Sequence, residues 1–166
     1  DAKMRQIMHI LQRNIERYLL FSLQDENDIS LNVKLARSYR YHNLDKSYRH
    51  LVKSLEKKTI SNDIKDESFY QEKFLITEER FSYLGDLRPK EADLQDVVDN
   101  LEISFIISKL RFACHMLNHQ DQQKKVYNYG MLDAIIEHVQ ENNFTSIPAI
   151  KIYFYLYLTL KFPEEE

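Results

Sequence analysis

His115 and His119 stand four residues apart, a spacing that sets two imidazoles on one edge of a helix, where both could reach a single metal ion. Asp121 follows closely, but a zinc site normally takes at least three protein ligands, and the chain has neither an HExxH nor a CxxC to complete one. These histidines are expected to lie on the surface near a helix C-terminus, with no metal and no other cofactor. Asp93, Asp96, Asp99 and Glu102, at i, i+3, i+6 and i+9, suggest a carboxylate-bridged dimetal bundle. That chemistry needs Glu-x-x-His on two helices, and no Glu in this chain is followed by His three residues later. Acids at a helix start, complementing its dipole, account for Glu91, Asp93 and Asp96. Gly85 and Gly130 stand alone, so no glycine loop can cradle a phosphate, and no nucleophile elbow is present. The expectation is a protein without a catalytic site.

The strongest surface signal is local charge. Eight Lys and Arg lie between Lys34 and Lys58 against only Asp45 and Glu56, interleaved with Tyr39, Tyr41 and Tyr48. Arg37, Arg40, Tyr41, Lys46, Arg49, Lys53 and Lys57 are the candidate binding residues. Such a face could meet an acidic protein or peptide. It could also hold nucleic-acid phosphates while tyrosines stack on bases, with Arg37, Arg40, Arg49 and Lys53 as the main contacts. The whole chain carries a net charge of −3, so nothing global favours nucleic acid or an acidic membrane.

The elements that must position these residues are helical. Two Gly and three Pro in 166 residues leave few turn formers for a β-rich fold. Apolar periodicity places a first helix over Ala2 to Leu23 and a second, capped by Asp28 or Ser30, to Tyr41 with Ile29, Val33 and Ala36 on one side and Leu31, Leu35 and Tyr39 toward another. A third runs from Leu44 to Lys58 with Tyr48, Leu51, Val52 and Leu55 inward. A fourth runs from Glu67 to Leu87, weakened at Gly85 and stopped by Arg88-Pro89. The fifth, Asp93 to Leu117, organises the rest. Leu94, Val98, Leu101, Phe105, Phe112 and Met116 fall in one arc, and Ile103, Ile106, Ile107, Leu110, Cys114 and Leu117 in the arc opposite. Two apolar arcs predict a helix sandwiched between two layers, with Leu101, Phe105, Leu110 and Cys114 all nearly solvent-free. Asp121 to Tyr129 reads as a loop, Met131 to Glu141 as a sixth helix, and a seventh follows with Ser146 as its cap and Pro148 in its first turn. The seventh is apolar around nearly its whole circumference. The run from Ile147 to Leu160 is 14 residues, about 21 Å as a helix and short of the roughly 30 Å of a bilayer core.

The pair from Leu31 to Lys58, with Leu35-Ala36-x-x-Tyr39 followed by Tyr48, Val52 and Leu55, resembles a tetratricopeptide-type helix hairpin. It departs from that pattern in the bulky Tyr48, where a small residue is expected, and in lacking a closing proline. The stretch from Ala92 to Asn118, together with IPAIKIYFYLYLTLKFPEEE, is similar to the N-terminal region of a family of uncharacterised bacterial proteins built from successive helical hairpins. In that family the region precedes further tetratricopeptide-like repeats, and no catalytic residues are implied. The expectation is an all-α chain of about seven helices in antiparallel hairpins, either an α-α superhelix or a compact helical bundle, forming one domain over residues 1–166. It would be an N-terminal piece of a longer array, acting as a protein-interaction or scaffold module. With Cys114 as the only cysteine, a reducing, cytoplasmic setting is expected. Self-association through Ile150 to Leu160 is expected where the seventh helix lacks a neighbour.

Overall fold

The computed structural model describes residues 2–22, 28–84 and 91–162. Among them are seven α-helices and no strand: α1 (Ala2–Ser22), α2 (Ile29–Tyr41), α3 (Asp45–Ile60), α4 (Glu67–Leu84), α5 (Glu91–Gln123), α6 (Leu132–Glu141) and α7 (Pro148–Lys161). The all-α class read from composition and periodicity is therefore correct. Gln24, Gly85, Leu87, Arg88 and Pro89, read as breaks or element ends, lie outside the described residues. The chain divides into two compact units, one over Asp1–Leu51 and one over Val52–Glu166.

In the first unit Asp28 is the residue that caps α2, its carboxylate accepting from the backbone N–H of Ser30 at 2.8 Å and of Leu31 at 3.2 Å. Ile29, Val33 and Ala36 are buried, as their spacing requires. The turn into α3 closes on Asn43, whose φ of 56° is left-handed, while the N–H of Leu44 donates to the Tyr39 carbonyl at 2.9 Å. Along α1, Met4, Ile7, Met8, Leu11 and Ile15 form an exposed apolar face.

The second unit is built on α5, which packs against α4 and α7. Ile106, Ile107, Leu110, Ala113 and Cys114 from α5 meet Phe69 and Tyr70 of α4, Leu132, Ile135 and Val139 of α6, and Ala149, Ile150, Phe154 and Tyr157 of α7 in one core. Burial pushes the Cys114 thiol and the Tyr70 phenol above their ordinary values. An ion pair ties the start of α4 to α5: Arg111 Nε approaches Glu67 Oε2 to 2.6 Å, off the line of an aligned hydrogen bond, and Ser108 Oγ donates to Glu67 Oε1 at 3.0 Å.

Two boundaries differ from expectation. The fifth helix runs on to Gln123, so the start of the presumed loop at Asp121 is helical. The polar turn survives because Tyr127 and Tyr129 fold back to bond His119 and Gln120, and the chain leaves the helix only at Lys124, with φ 53°. Ser146 does not cap α7: it closes a 3₁₀ turn over Phe144–Ser146, the N-cap is Ile147, and no side chain bonds the free N–H groups. Pro148 at the first position lowers that cost by removing one donor.

Asp66 caps α4, accepting from the Phe69 backbone N–H at 3.0 Å and the Ser68 hydroxyl at 2.8 Å. The first of these bonds does most to hold its carboxyl below 3.8. A carboxyl depressed on folding stabilises above its unfolded pKa, and the contribution is lost as pH falls through the folded value. Asp66→Ala should cost about 1 kcal/mol at neutral pH, and the gap should narrow in urea titrations as pH falls below the usual carboxylate range.

Candidate interaction surfaces

The basic residues of the first hairpin face outward. Arg37, Tyr41, Lys46, Arg49, Lys53 and Lys57 are exposed and Arg40 is half-buried. Lys46, Arg49, Lys53 and Lys57 recur at helical spacing along the outer face of α3, opposite the buried Tyr48, Val52 and Leu55. The Arg40 guanidinium lies 5.1 Å from the ring centroid of Tyr41, which pre-orients one cation against an exposed aromatic.

The two histidines and the acidic row of α5 do not converge on one site. His119 Nδ1 is held by the Tyr127 hydroxyl, while the exposed His115 ring leans on Phe112 at a centroid distance of 6.3 Å. Along the acidic row, Asp96 Oδ2 pairs with Arg80 Nη2 at 3.1 Å, Asp99 accepts from Gln95 at 2.6 Å, and Glu102 meets His138 Nε2 at 2.8 Å. Each acid has its own partner on a different side of the helix. Among the described residues no group of three His, Cys, Asp or Glu is placed to hold a metal ion.

The sandwich expected around the fifth helix is wrong in half of its detail. Leu110 and Cys114 are buried, as expected, but Leu101 and Phe105 are open to water. With Leu94, Val98 and Phe112 they form an arc whose members are each between 46% and 53% exposed. Both arcs of α5 are rich in large apolar residues, so the pattern did not say which one the neighbouring helices cover. The structure covers the Leu110 side.

The seventh helix has a similar division. Ala149, Ile150, Phe154 and Tyr157 are buried, whereas Ile152, Tyr155, Leu156 and Leu160 form an exposed outer stripe. The apolar outer face foreseen at this end of the fold is present. A third feature had no sequence signal, because it joins residues far apart in the chain. A groove of about 410 Å³ lies between the end of α3 and α4, with Phe69 and Ile76 in its floor and Lys65 and Lys73 at its rim. At one end Arg80 bridges Glu56 and Asp96, both at 3.1 Å.

These helices define an all-α protein whose notable surfaces are apolar stripes and a basic helix face. Compared with known proteins, the chain matches no family model, no curated protein and no solved structure. No helix among the described residues is long and apolar enough to cross a membrane.

Proposed function

We propose that this chain is a non-catalytic protein-interaction module made of tetratricopeptide-like helical hairpins. The outer stripe of α7 carries the proposal. Ile152, Tyr155, Leu156 and Leu160 sit at i, i+3, i+4 and i+8, the register that accepts a helix laid along it. Their helix is anchored from behind by Phe154 and Tyr157, so the stripe is presented on a fixed support. An exposed apolar row of this size on a folded helix marks an interaction site. The partner is a protein whose own amphipathic helix covers the stripe, and a reducing compartment such as the cytoplasm suits the single buried thiol.

The test compares the proteins retained from extract by the wild-type chain with those retained by Ile152→Asp/Leu156→Asp. Both positions are exposed, so helicity and Tm should stay nearly unchanged, while a specific partner should disappear from the double variant. Identical retention by the two would overturn the proposal.

A second reading, binding of RNA or DNA, draws on the outward cations of α3 and the Arg40–Tyr41 stack. Lys46→Glu/Arg49→Glu/Lys53→Glu/Lys57→Glu should then abolish binding that is already steeply weakened by salt. No binding of wild type to mixed single- and double-stranded nucleic acid at low salt removes this reading.

A further inference from the structure

The open arc of α5 is more regular than a general apolar surface. Leu94, Val98, Leu101, Phe105, Ser108, Phe112 and His115 follow one another at intervals of four, three, four, three, four and three. A helix face packed broadly on a globular core uses a wider stripe; this narrow seam is the pattern that receives one partner helix, side chains of each entering gaps in the other. The seam from Val98 to His115 is about 26 Å long. Four of its large apolar members between Leu94 and Phe105, and Phe112 beyond them, are about half exposed.

We propose that two copies of this chain associate through this seam, their α5 helices antiparallel and centred between Ile106 and Ile107. This occupant is favoured because the seam complements itself in that orientation alone. Antiparallel pairing sets Phe105 of one copy against Ser108 of the other, and Leu101 against Phe112, so each large ring meets a smaller residue, and each contact occurs twice by symmetry. The edges agree. Glu102 and Lys109 lie seven residues apart on the same edge of the seam, and the antiparallel arrangement brings Glu102 of each copy beside Lys109 of the other. Both are half-buried at the border of the arc; within one chain Glu102 Oε1 meets His138 Nε2 at 2.8 Å and the Lys109 ammonium lies close to Gly130, so the pairing re-aims these two long side chains across the seam, where charge pairing specifies orientation. On the opposite edge Ser104 faces Arg111. A parallel pair would instead stack Phe105 on Phe105, leave a gap between two Ser108 residues, and bring Glu102 and Lys109 beside Val97 and Ser104, with no ion pair. Antiparallel alignment also opposes the two helix dipoles favourably. The dimer leaves the outer stripe of α7 to its own partner, so it is independent of the function proposed above.

The test is the mass of the full chain in solution, by light scattering and sedimentation equilibrium over a range of concentrations. Wild type should approach twice the 20.0 kDa of one chain. Lys109→Glu places like charges together at both ends of the pairing and should weaken the dimer at least roughly tenfold; Glu102→Lys/Lys109→Glu restores opposite charges and should recover most of the affinity. Melting curves of both variants establish that each is folded. A monomeric wild type overturns the proposal. So does a dimer that Lys109→Glu leaves intact, which would place self-association on another surface such as the outer stripe of α7 or the exposed apolar face of α1. Failure of the double variant to recover also overturns it, because the pairing would then not be the one described.

Discussion

Leu110→Ala should lower the stability of the second unit by about 2–5 kcal/mol, while Leu101→Ala, on the same helix, should cost under roughly 1 kcal/mol. The first side chain is fully enclosed among α4, α6 and α7, so its loss leaves a cavity that close-packed neighbours cannot refill; the second is 49% exposed and leaves only a dent in the surface. Thermal melts read the difference directly. A loss of 2–5 kcal/mol moves Tm down by roughly 8–20 °C in a unit of this size. Equal shifts for the two variants would mean that both arcs of α5 are covered in solution. The comparison is best made at low protein concentration, where any pairing through the open seam is least populated.

Phe154→Ala should cost about 3–5 kcal/mol, the largest effect expected from a single truncation in α7. The Phe154 ring is buried between α7 and α5 beside Tyr157 and Ile150, and it removes more apolar area from water than any aliphatic neighbour. The matching surface change, Ile152→Ala, should leave stability within roughly 0.5 kcal/mol because that side chain is 64% exposed. Denaturant titrations of the pair therefore separate the side of α7 docked onto its own fold from the exposed outer stripe. If Phe154→Ala were as mild as Ile152→Ala, the seventh helix would not be anchored on α5 as described.

Local information accounts for most of what was legible in advance. Apolar spacing placed the seven helices of the described residues, and a cap at Asp28 or Ser30 was readable because an N-cap needs only a short polar side chain two or three residues before free N–H groups; the structure uses Asp28. On α2 the apolar residues fall on two sides, of which the structure buries Ile29, Val33 and Ala36 and leaves Leu35 exposed; on α3 a single stripe places Tyr48, Leu51, Val52 and Leu55 inward, and all but the half-buried Leu51 are buried. On an amphipathic helix one stripe leaves no choice. The outward direction of Lys46, Arg49, Lys53 and Lys57 follows from the same arithmetic.

The departures from expectation arose where side-chain contacts and turn geometry that apolar periodicity does not encode decide the local structure. Asp121 to Gln123 is helical, and Tyr127 and Tyr129 fold back to bond His119 and Gln120, a local return of the chain that polar composition does not reveal. Ser146 had cap chemistry, but the left-handed turn at Asn143 places it in a 3₁₀ turn and passes the N-cap position to Ile147. The acids at 96, 99 and 102 shared a spacing but not a site, since Arg80, Gln95 and His138 engage them in different directions. What the amino-acid sequence determined by itself was the helical class, the inner face of each amphipathic helix and the outward basic row, because those depend on periodicity within one element. Which of the two apolar arcs of α5 is buried, and hence where an apolar seam is left exposed, was decided only by tertiary structure: hydrophobic burial favours covering either arc, and α4, α6 and α7 cover just one of them.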